Sequence, residues 1–263
     1  MSEKQQDTAK ESIPTRPQKL QLKLLQKKSH TSTDIVSFKF ARRSEDNKQN
    51  QNLAYKPGQY AIVDLGTKED PEGPLRSFTL ASSPTEEDFI LISTRIRDTP
   101  FKKKLASLDV GTSVKMTAPL GKFVLHEDYS KTAVFLSGGI GVTPFRSMIK
   151  YATDKQLPVK ITMFDSNRNE DNILYKIEFD EYANLNTNLK VVYALDNGDN
   201  DWNGERGYIN QAMVTKYLSA NELDDSIFYI CGPPVMLKAM QKLLQDDLHV
   251  PKERIKFEEF TGY

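Results

Sequence analysis

AVFLSGGIGVTPFRSM, residues 133–148, decides how the chain is read. A short apolar run enters Gly138, Gly139 and Gly141, and Pro144 then opens a helix at a position where its missing N–H costs nothing. Strand, glycine turn and helix in succession are the unit of a parallel α/β sheet. Glycines let backbone N–H groups approach an anion, and the helix N-terminus adds partial positive charge, so the turn reads as a nucleotide site by mechanism. The pattern G-x-G-x-x-P departs from the usual dinucleotide fingerprint, because Pro144 stands where a third glycine would allow close helix packing. Taken by itself, the stretch also fits a glycine-rich connection with no ligand.

Downstream, apolar runs at 133–137, 159–164, 189–195, 227–231 and 255–259 predict strands, with helices over 144–153, 173–184, 210–218 and 234–248. In the common parallel order 3-2-1-4-5, the carboxyl ends of the first, fourth and fifth strands lie side by side, where such sheets bind ligands. Those ends are Ser137 to Gly141, Cys231-Gly232-Pro233-Pro234 and Glu258-Glu259-Phe260. Cys231 is expected at the lip of that crevice, although a lone cysteine at a strand end also serves as a small buried hydrophobe.

Upstream, short β-rich runs at 20–25, 34–40, 59–65, 77–80, 89–94 and 113–118, separated by turn residues, predict a small antiparallel β-barrel. Three segments follow: a disordered polar tail over 1–18, a barrel over 19–128 and an α/β domain over 129–263. Residues 44–52 read as a polar loop without function. At 38% apolar and 27% charged, the 263 residues suffice for a core without staples. Thirty-six basic against 36 acidic side chains offer no bulk attraction to nucleic acid or anionic lipid. A single cysteine excludes an intrachain disulfide or an all-cysteine iron–sulfur site. With no secretory signal or spanning run, the expected location is the cytoplasm, without a membrane partner.

In the barrel half, Leu75-Arg76-Ser77-Phe78-Thr79-Leu80 gathers a guanidinium, an aromatic ring and a hydroxyl within four residues. Arginine binds phosphate bidentately, and a flat ligand stacks on an aromatic ring. Met alone, the same residues describe a half-buried edge strand. In company with G-x-G-x-x-P, C-G-P-P and a terminal E-x-aromatic in this order, over roughly residues 19–263, they resemble the ferredoxin–NADP reductase superfamily of flavoenzymes.

The resemblance implies a barrel holding FAD, a second domain holding a nicotinamide dinucleotide, and hydride transfer from nicotinamide to flavin N5. Arg76-Ser77-Phe78-Thr79 matches the family's R-x-Y-S motif: Arg76 for the pyrophosphate, Phe78 against the isoalloxazine, Thr79 on N5. Phe for Tyr loses a hydroxyl, and Thr for Ser adds a methyl. Ser93, Thr94, Thr99, Phe101 and Lys102 occupy the second flavin segment, where the usual G-x-x-S is replaced by Asp98-Thr99-Pro100-Phe101-Lys102. Gly121-Lys122-Phe123 resembles a structural hairpin. Gly138, Gly139, Gly141, Thr143 and Pro144 match the dinucleotide turn, and Cys231, Gly232 and Pro233 the segment beside the nicotinamide. Glu258 and Phe260 resemble the terminal acid-x-aromatic, with Phe260 as a gate over the flavin or as a packing residue. Three residues, Thr261, Gly262 and Tyr263, follow it.

Family members using NADPH commonly carry a Ser-Arg pair after the third strand. This chain has Asp196-Asn197, and a carboxylate suits a free ribose hydroxyl and repels a phosphate. The expectation is therefore NADH, while Arg206 and Tyr208 keep NADPH open. Ser166, Asn167 and Arg168 fit either an adenosine or pyrophosphate contact or a solvated turn. Electrons would pass to a separate acceptor protein or small molecule. Lys27, Lys28, Arg42, Arg43 and Lys102 to Lys104 would form a basic dock for an acidic ferredoxin or flavodoxin, or merely solvated surface. The competing functions are a reductase component of an oxygenase system, a free-flavin reductase, and a non-catalytic nucleotide-sensing subunit. Oligomeric state is not legible.

Overall fold

The computed structural model describes residues 16–43, 53–198 and 201–260. Most of the expected tail, the 44–52 loop and the three residues after Phe260 lie outside them.

Six antiparallel strands build the first half: β1 (Gln18–Ser29), β2 (Ile35–Ala41), β3 (Tyr60–Asp64), β4 (Leu75–Thr79), β5 (Phe89–Arg95) and β6 (Ser113–Leu120). Their order, β4-β3-β6-β1-β2-β5, brings the edge strands β4 and β5 around to each other. Just beyond β4, the Ala81 amide donates to the Leu91 carbonyl at 2.8 Å, so the sheet curls into a nearly closed barrel. Alternating inward residues such as Leu20, Leu22 and Leu24 fill its core with Phe38, Phe40 and Phe101. Between β5 and β6 lies helix α1 (Pro100–Ser107), which the sequence reading did not assign. Thr99 caps it, accepting the Lys102 amide at 3.2 Å, with Pro100 in the first turn.

The second half is a parallel sheet: β7 (Ala133–Gly138), β8 (Ile161–Asn167), β9 (Leu189–Leu195), β10 (Glu205–Arg206), β11 (Ile227–Gly232) and β12 (Ile255–Glu259). The order β10-β9-β8-β7-β11-β12 contains the expected 3-2-1-4-5 arrangement, extended at one edge by the two-residue β10. Helices α2 (Thr143–Asp154) and α3 (Lys176–Leu185) pack on the face carrying Phe135 and Tyr229. The other face meets α4 (Gln211–Tyr217) and α6 (Pro234–Lys242), with α5 (Ala220–Asp225) near its margin. Two expected helices differ in extent. Helix α3 starts at Lys176 because Tyr175 takes a left-handed backbone, φ 65°, and α6 gives way after Lys242 to a wider turn over Leu243–Asp247.

A polar seam joins the halves. Arg146 of α2, 4% exposed, donates to the Ala81 carbonyl at 2.8 Å and forks onto Glu86 at 2.9 and 3.0 Å. Its other edge meets Glu178 of α3 at 3.0 and 2.5 Å. Ser147 Oγ donates to the Ser82 carbonyl at 2.6 Å, and the Tyr175 hydroxyl donates to Ser93 Oγ at 2.6 Å. A buried ion pair satisfied on every side in this way is costly to break from one partner. Phe123, leaving the barrel, packs on Phe145 and Tyr229 and completes the junction with apolar contact.

Candidate active site

A cleft of about 430 Å³ opens between the two halves. From the barrel it is lined by Tyr60, Glu72, Leu75, Arg76, Ser77, Phe78, Thr79, Ser93, Thr94 and Lys102; from the sheet, by Thr143, Glu258, Glu259 and Phe260. Ten of the sequence-derived site residues thus share one space: the Arg76–Thr79 strand, Ser93, Thr94, Lys102, Thr143, Glu258 and Phe260.

The barrel wall is cationic and aromatic. Lys102 is buried, with its Nζ donating to Thr94 Oγ1 at 2.5 Å and lying 4.9 Å from the centre of the Phe78 ring. Burial, followed by the Arg76 and Arg97 charges, pushes its ammonium down to about 8. Arg76 pairs with Asp70 at 2.5 Å, and its guanidinium lies 5.2 Å from the Phe101 ring centre. Although burial opposes it, amide donors from Phe101 and Glu72 and the Arg76 guanidinium hold the Asp70 carboxyl below the ordinary range.

The opposite wall carries a carboxyl. Glu258 is pushed up to about 7 by burial, so it holds its proton near neutrality. Its Oε2 and Thr79 Oγ1, on the other wall, are both buried without a hydrogen-bond partner. Buried polar atoms left unpaired in a cleft mark a place where a ligand or water completes the bonding.

Several expected residues sit beside this cleft rather than in its lining. Phe101 is buried in the barrel core, 6.0 Å from Phe78 between ring centres, and Thr99 is spent capping α1. Phe78 does line the cleft, yet at 7% exposed its ring belongs mostly to the same core. The lip position expected for Cys231 is not what the fold produces: the thiol is fully buried, packed in the core under the strand ends. Burial and then the Glu258 charge push it well above its ordinary value, away from thiolate chemistry. The reason is packing: Cys231 belongs to the same buried cluster as Ile140, Val142 and Phe145, with Phe260 against it.

The glycine turn lies against the C-G-P-P segment. A methyl at Gly141 would overlap the Cys231 carbonyl and Gly139 holds φ 54°, so these two positions disfavour a side chain, whereas one at Gly138 would meet only the movable end of Met236. Gly232 packs near Gly138 and Met236, and Pro233 precedes α6. Pro144 occupies the first turn of α2 as expected.

At the end of β9, Asp196 accepts the Tyr208 hydroxyl at 3.0 Å, and Arg206 donates to the carbonyls of Gly198 and Trp202 at 2.7 and 3.2 Å. Beside them is a second cavity of about 420 Å³, bordered by Asn169, Tyr193, Asn197 and Trp202 among others. Asn167 is buried and bonds Asp165 at 2.9 Å, so it is no solvated turn residue. Ser166 is half-buried on the same strand, and the Arg168 carbonyl accepts the Asn197 amide at 2.8 Å.

Four of the seven charges expected in a basic dock are held locally. Lys102 and Arg42 are buried, Arg42 donating to the carbonyls of Leu53, Pro84 and Glu86. Lys103 pairs with Asp98, and Lys27 bonds the carbonyls of Ala106 and Leu108 at the end of α1. Lys28 and Lys104 are exposed.

Sequence reasoning missed Tyr60, Glu72, Leu75 and Glu259 in the lining, and Arg146 at the seam. Pairing of Tyr60 with Thr79 across β3 and β4 accounts for the first, but that register is visible only in the folded sheet.

Comparison with known proteins agrees with this architecture. The oxidoreductase FAD-binding domain family matches residues 22–125, and the oxidoreductase NAD-binding domain family residues 135–242. The chain is 31% identical over 242 residues to a nitrate reductase [NADPH] of Fusarium oxysporum, covering 83% of this chain but 26% of that protein. It is 28% identical to NADH-cytochrome b5 reductase 1 of Mortierella alpina, covering 91% of this chain and 78% of that one. Among solved structures, the cytochrome b5 reductase domain of Ulva prolifera nitrate reductase superposes with a TM-score of 0.77 at 21% identity, over 92% of this chain and 97% of that domain. With barrel, parallel sheet, cleft and both family matches in the same order, the chain belongs to the ferredoxin–NADP reductase superfamily, pairing an FAD-binding with an NAD-binding domain.

Proposed function

We propose that the protein is an FAD-dependent NAD(P)H oxidoreductase that takes hydride from NADH and passes electrons to a separate acceptor. One observation carries the reading: Thr79 and Glu258 present buried, unpartnered oxygens from opposite halves of one cleft whose barrel wall also holds Arg76 and Lys102. Cations for a pyrophosphate and polar atoms for a flat heterocycle fit a flavin dinucleotide. Bound FAD supplies the conversion between two-electron hydride chemistry and one-electron output.

The chain's own residues would bind, orient and move protons. Arg76 and Lys102 bind the pyrophosphate, with Thr94 holding the ammonium in place. Thr79 supplies a hydroxyl to the reacting edge of the ring system, while Phe78, Ser77 and Ser93 complete the wall. Glu258 holds a proton at its carboxyl near neutral pH. Gly138, Gly139 and Gly141 leave room for the nicotinamide dinucleotide's phosphates, with Thr143 and Pro144 at the head of α2. Gly232 and Pro233 shape the strand end beside it, and Phe260 covers the cleft. Cys231 supports this surface from below. Asp196, at the end of β9, disfavours a 2′-phosphate and selects NADH.

The acceptor is a separate carrier. The names of the matched relatives include a cytochrome b5 reductase, which supports a one-electron protein acceptor. Anaerobic mixing of the flavin-loaded protein with each nucleotide tests the reading: flavin absorbance should bleach faster with NADH than with NADPH at equal concentration. The opposite preference refutes the role of Asp196. No bleaching by either refutes the enzyme and leaves a nucleotide-sensing subunit.

A further inference from the structure

The turn between β3 and β4 carries two carboxylates that hold the same guanidinium in different ways. Arg76 Nη1 donates to the carbonyls of Glu72, Gly73 and Leu75 at 3.1, 2.9 and 2.8 Å. Its Nη2 reaches Asp70 Oδ1 at 2.5 Å and Glu72 Oε2 at 3.1 Å. The Arg76 side chain is 13% exposed, so these partners have largely taken it out of water.

Asp70 is built in. Its side chain is 1% exposed; Oδ2 accepts the Phe101 amide at 2.8 Å and Oδ1 the Glu72 amide at 3.0 Å. Those bonds tie the β3–β4 turn to the first turn of α1 and fix the direction from which Asp70 meets Arg76. Glu72 is 60% exposed, borders the cleft, and can leave Arg76 by rotating into solvent. An exposed ion pair of this kind contributes little net stability, so the fold does not depend on it.

We propose that Glu72 is a built-in competing anion that occupies Arg76 and yields to the pyrophosphate of a flavin dinucleotide, while Asp70 is the positioning residue that holds Arg76 for it. The inference rests on the flavoenzyme reading above. Without a ligand, Glu72 balances the positive charges of Arg76 and Lys102, which otherwise face one another in a poorly solvated wall. When a phosphorylated flavin enters, Glu72 must be displaced, and it remains nearby as a like charge. Neighbouring carboxylates therefore act in opposite directions: Asp70 strengthens binding of the dinucleotide, and Glu72 weakens it.

The test is flavin titration of the full chain, stripped of bound flavin, followed by fluorescence quenching. FAD and riboflavin serve as probes, because only FAD carries the pyrophosphate. Glu72→Gln should bind FAD roughly three- to tenfold more tightly than wild type, with riboflavin affinity unchanged. Inorganic pyrophosphate should compete with FAD more effectively in that variant. Asp70→Asn should bind FAD at least about tenfold more weakly. Should Asp70→Asn fail to fold, the Glu72→Gln and pyrophosphate results decide by themselves. Equal or weaker FAD binding by Glu72→Gln, or an equal change for riboflavin, overturns the proposal. A wild-type protein that binds no flavin overturns the underlying reading, and this inference with it.

Discussion

Lys102 is the group whose perturbation should be most visible in solution. Its ammonium, ordinarily near 10.5, is held at about 8 by burial in the cleft wall and by the charges of Arg76 and Arg97. That gap corresponds to roughly 3 kcal/mol of unfavourable free energy for the charged form in the folded protein. The unfolded chain keeps its proton up to pH 10.5, whereas the folded one releases it near pH 8. Between those values the unfolded state binds more protons, so stability must rise with pH. Below pH 8 the full penalty is present; above 10.5 it is gone. Lys102→Met keeps the apolar stem over Phe78 and removes the titrating group, at the cost of the bond to Thr94. Urea unfolding of flavin-free protein at pH 7, 8, 9 and 10 should therefore show wild type gaining about 2.5 kcal/mol relative to Lys102→Met across the series. Other residues titrate in this window in both proteins, so the difference between the curves is the readout. Added pyrophosphate should shrink the difference, because an anion in the cleft favours the charged amine. Parallel curves for the two proteins would refute the claim that this lysine is desolvated in readiness for a negative ligand.

Glu258 and Arg146 give two further tests. The Glu258 carboxyl, raised to about 7 by burial, loses its proton as pH rises through neutrality, so the rate of flavin reduction should change slope near pH 7. Glu258→Gln should flatten that profile and slow the reaction by about a hundredfold, and an unchanged inflection would assign it to another group. Arg146→Met leaves Glu86 and Glu178 facing each other without their shared cation, and should cost about 3–5 kcal/mol in thermal or urea unfolding. A loss below about 1 kcal/mol would mean that apolar contact alone holds the seam.

Much of the sheet half was legible because buried parallel strands announce themselves as apolar runs and the glycine–proline turns punctuate them. The barrel strands were found by their alternation, to within a few residues at each end. Two short helices were overlooked. Residues 100–107 carry three consecutive lysines that mask any apolar stripe, although Thr99-Pro100 was a readable start signal. Residues 220–225 bury no residue, yet Ser219 and Glu222 form a capping box that pointed to a helix. The site divided along the same line. Motif residues come together around one cleft, but which of them face it depends on register and packing. Cys231 turned inward with its strand, and Lys102 was read both as flavin contact and as surface charge, when burial settles its exposure. Nothing local in the sequence reveals that Asp70 and Glu72 both close on Arg76.

The bonds from Arg146, Ser147 and Tyr175 into the barrel have a kinetic corollary. A chain stitched across its midline by charged and hydroxyl contacts gives up hinge bending, so the gap an electron or hydride must cross is set when the protein folds. Differences in speed or reductant choice between this chain and its relatives should then trace to local pieces bordering the cleft, such as the acidic turn before β4 or the end of β12, and not to any swinging of one lobe against the other.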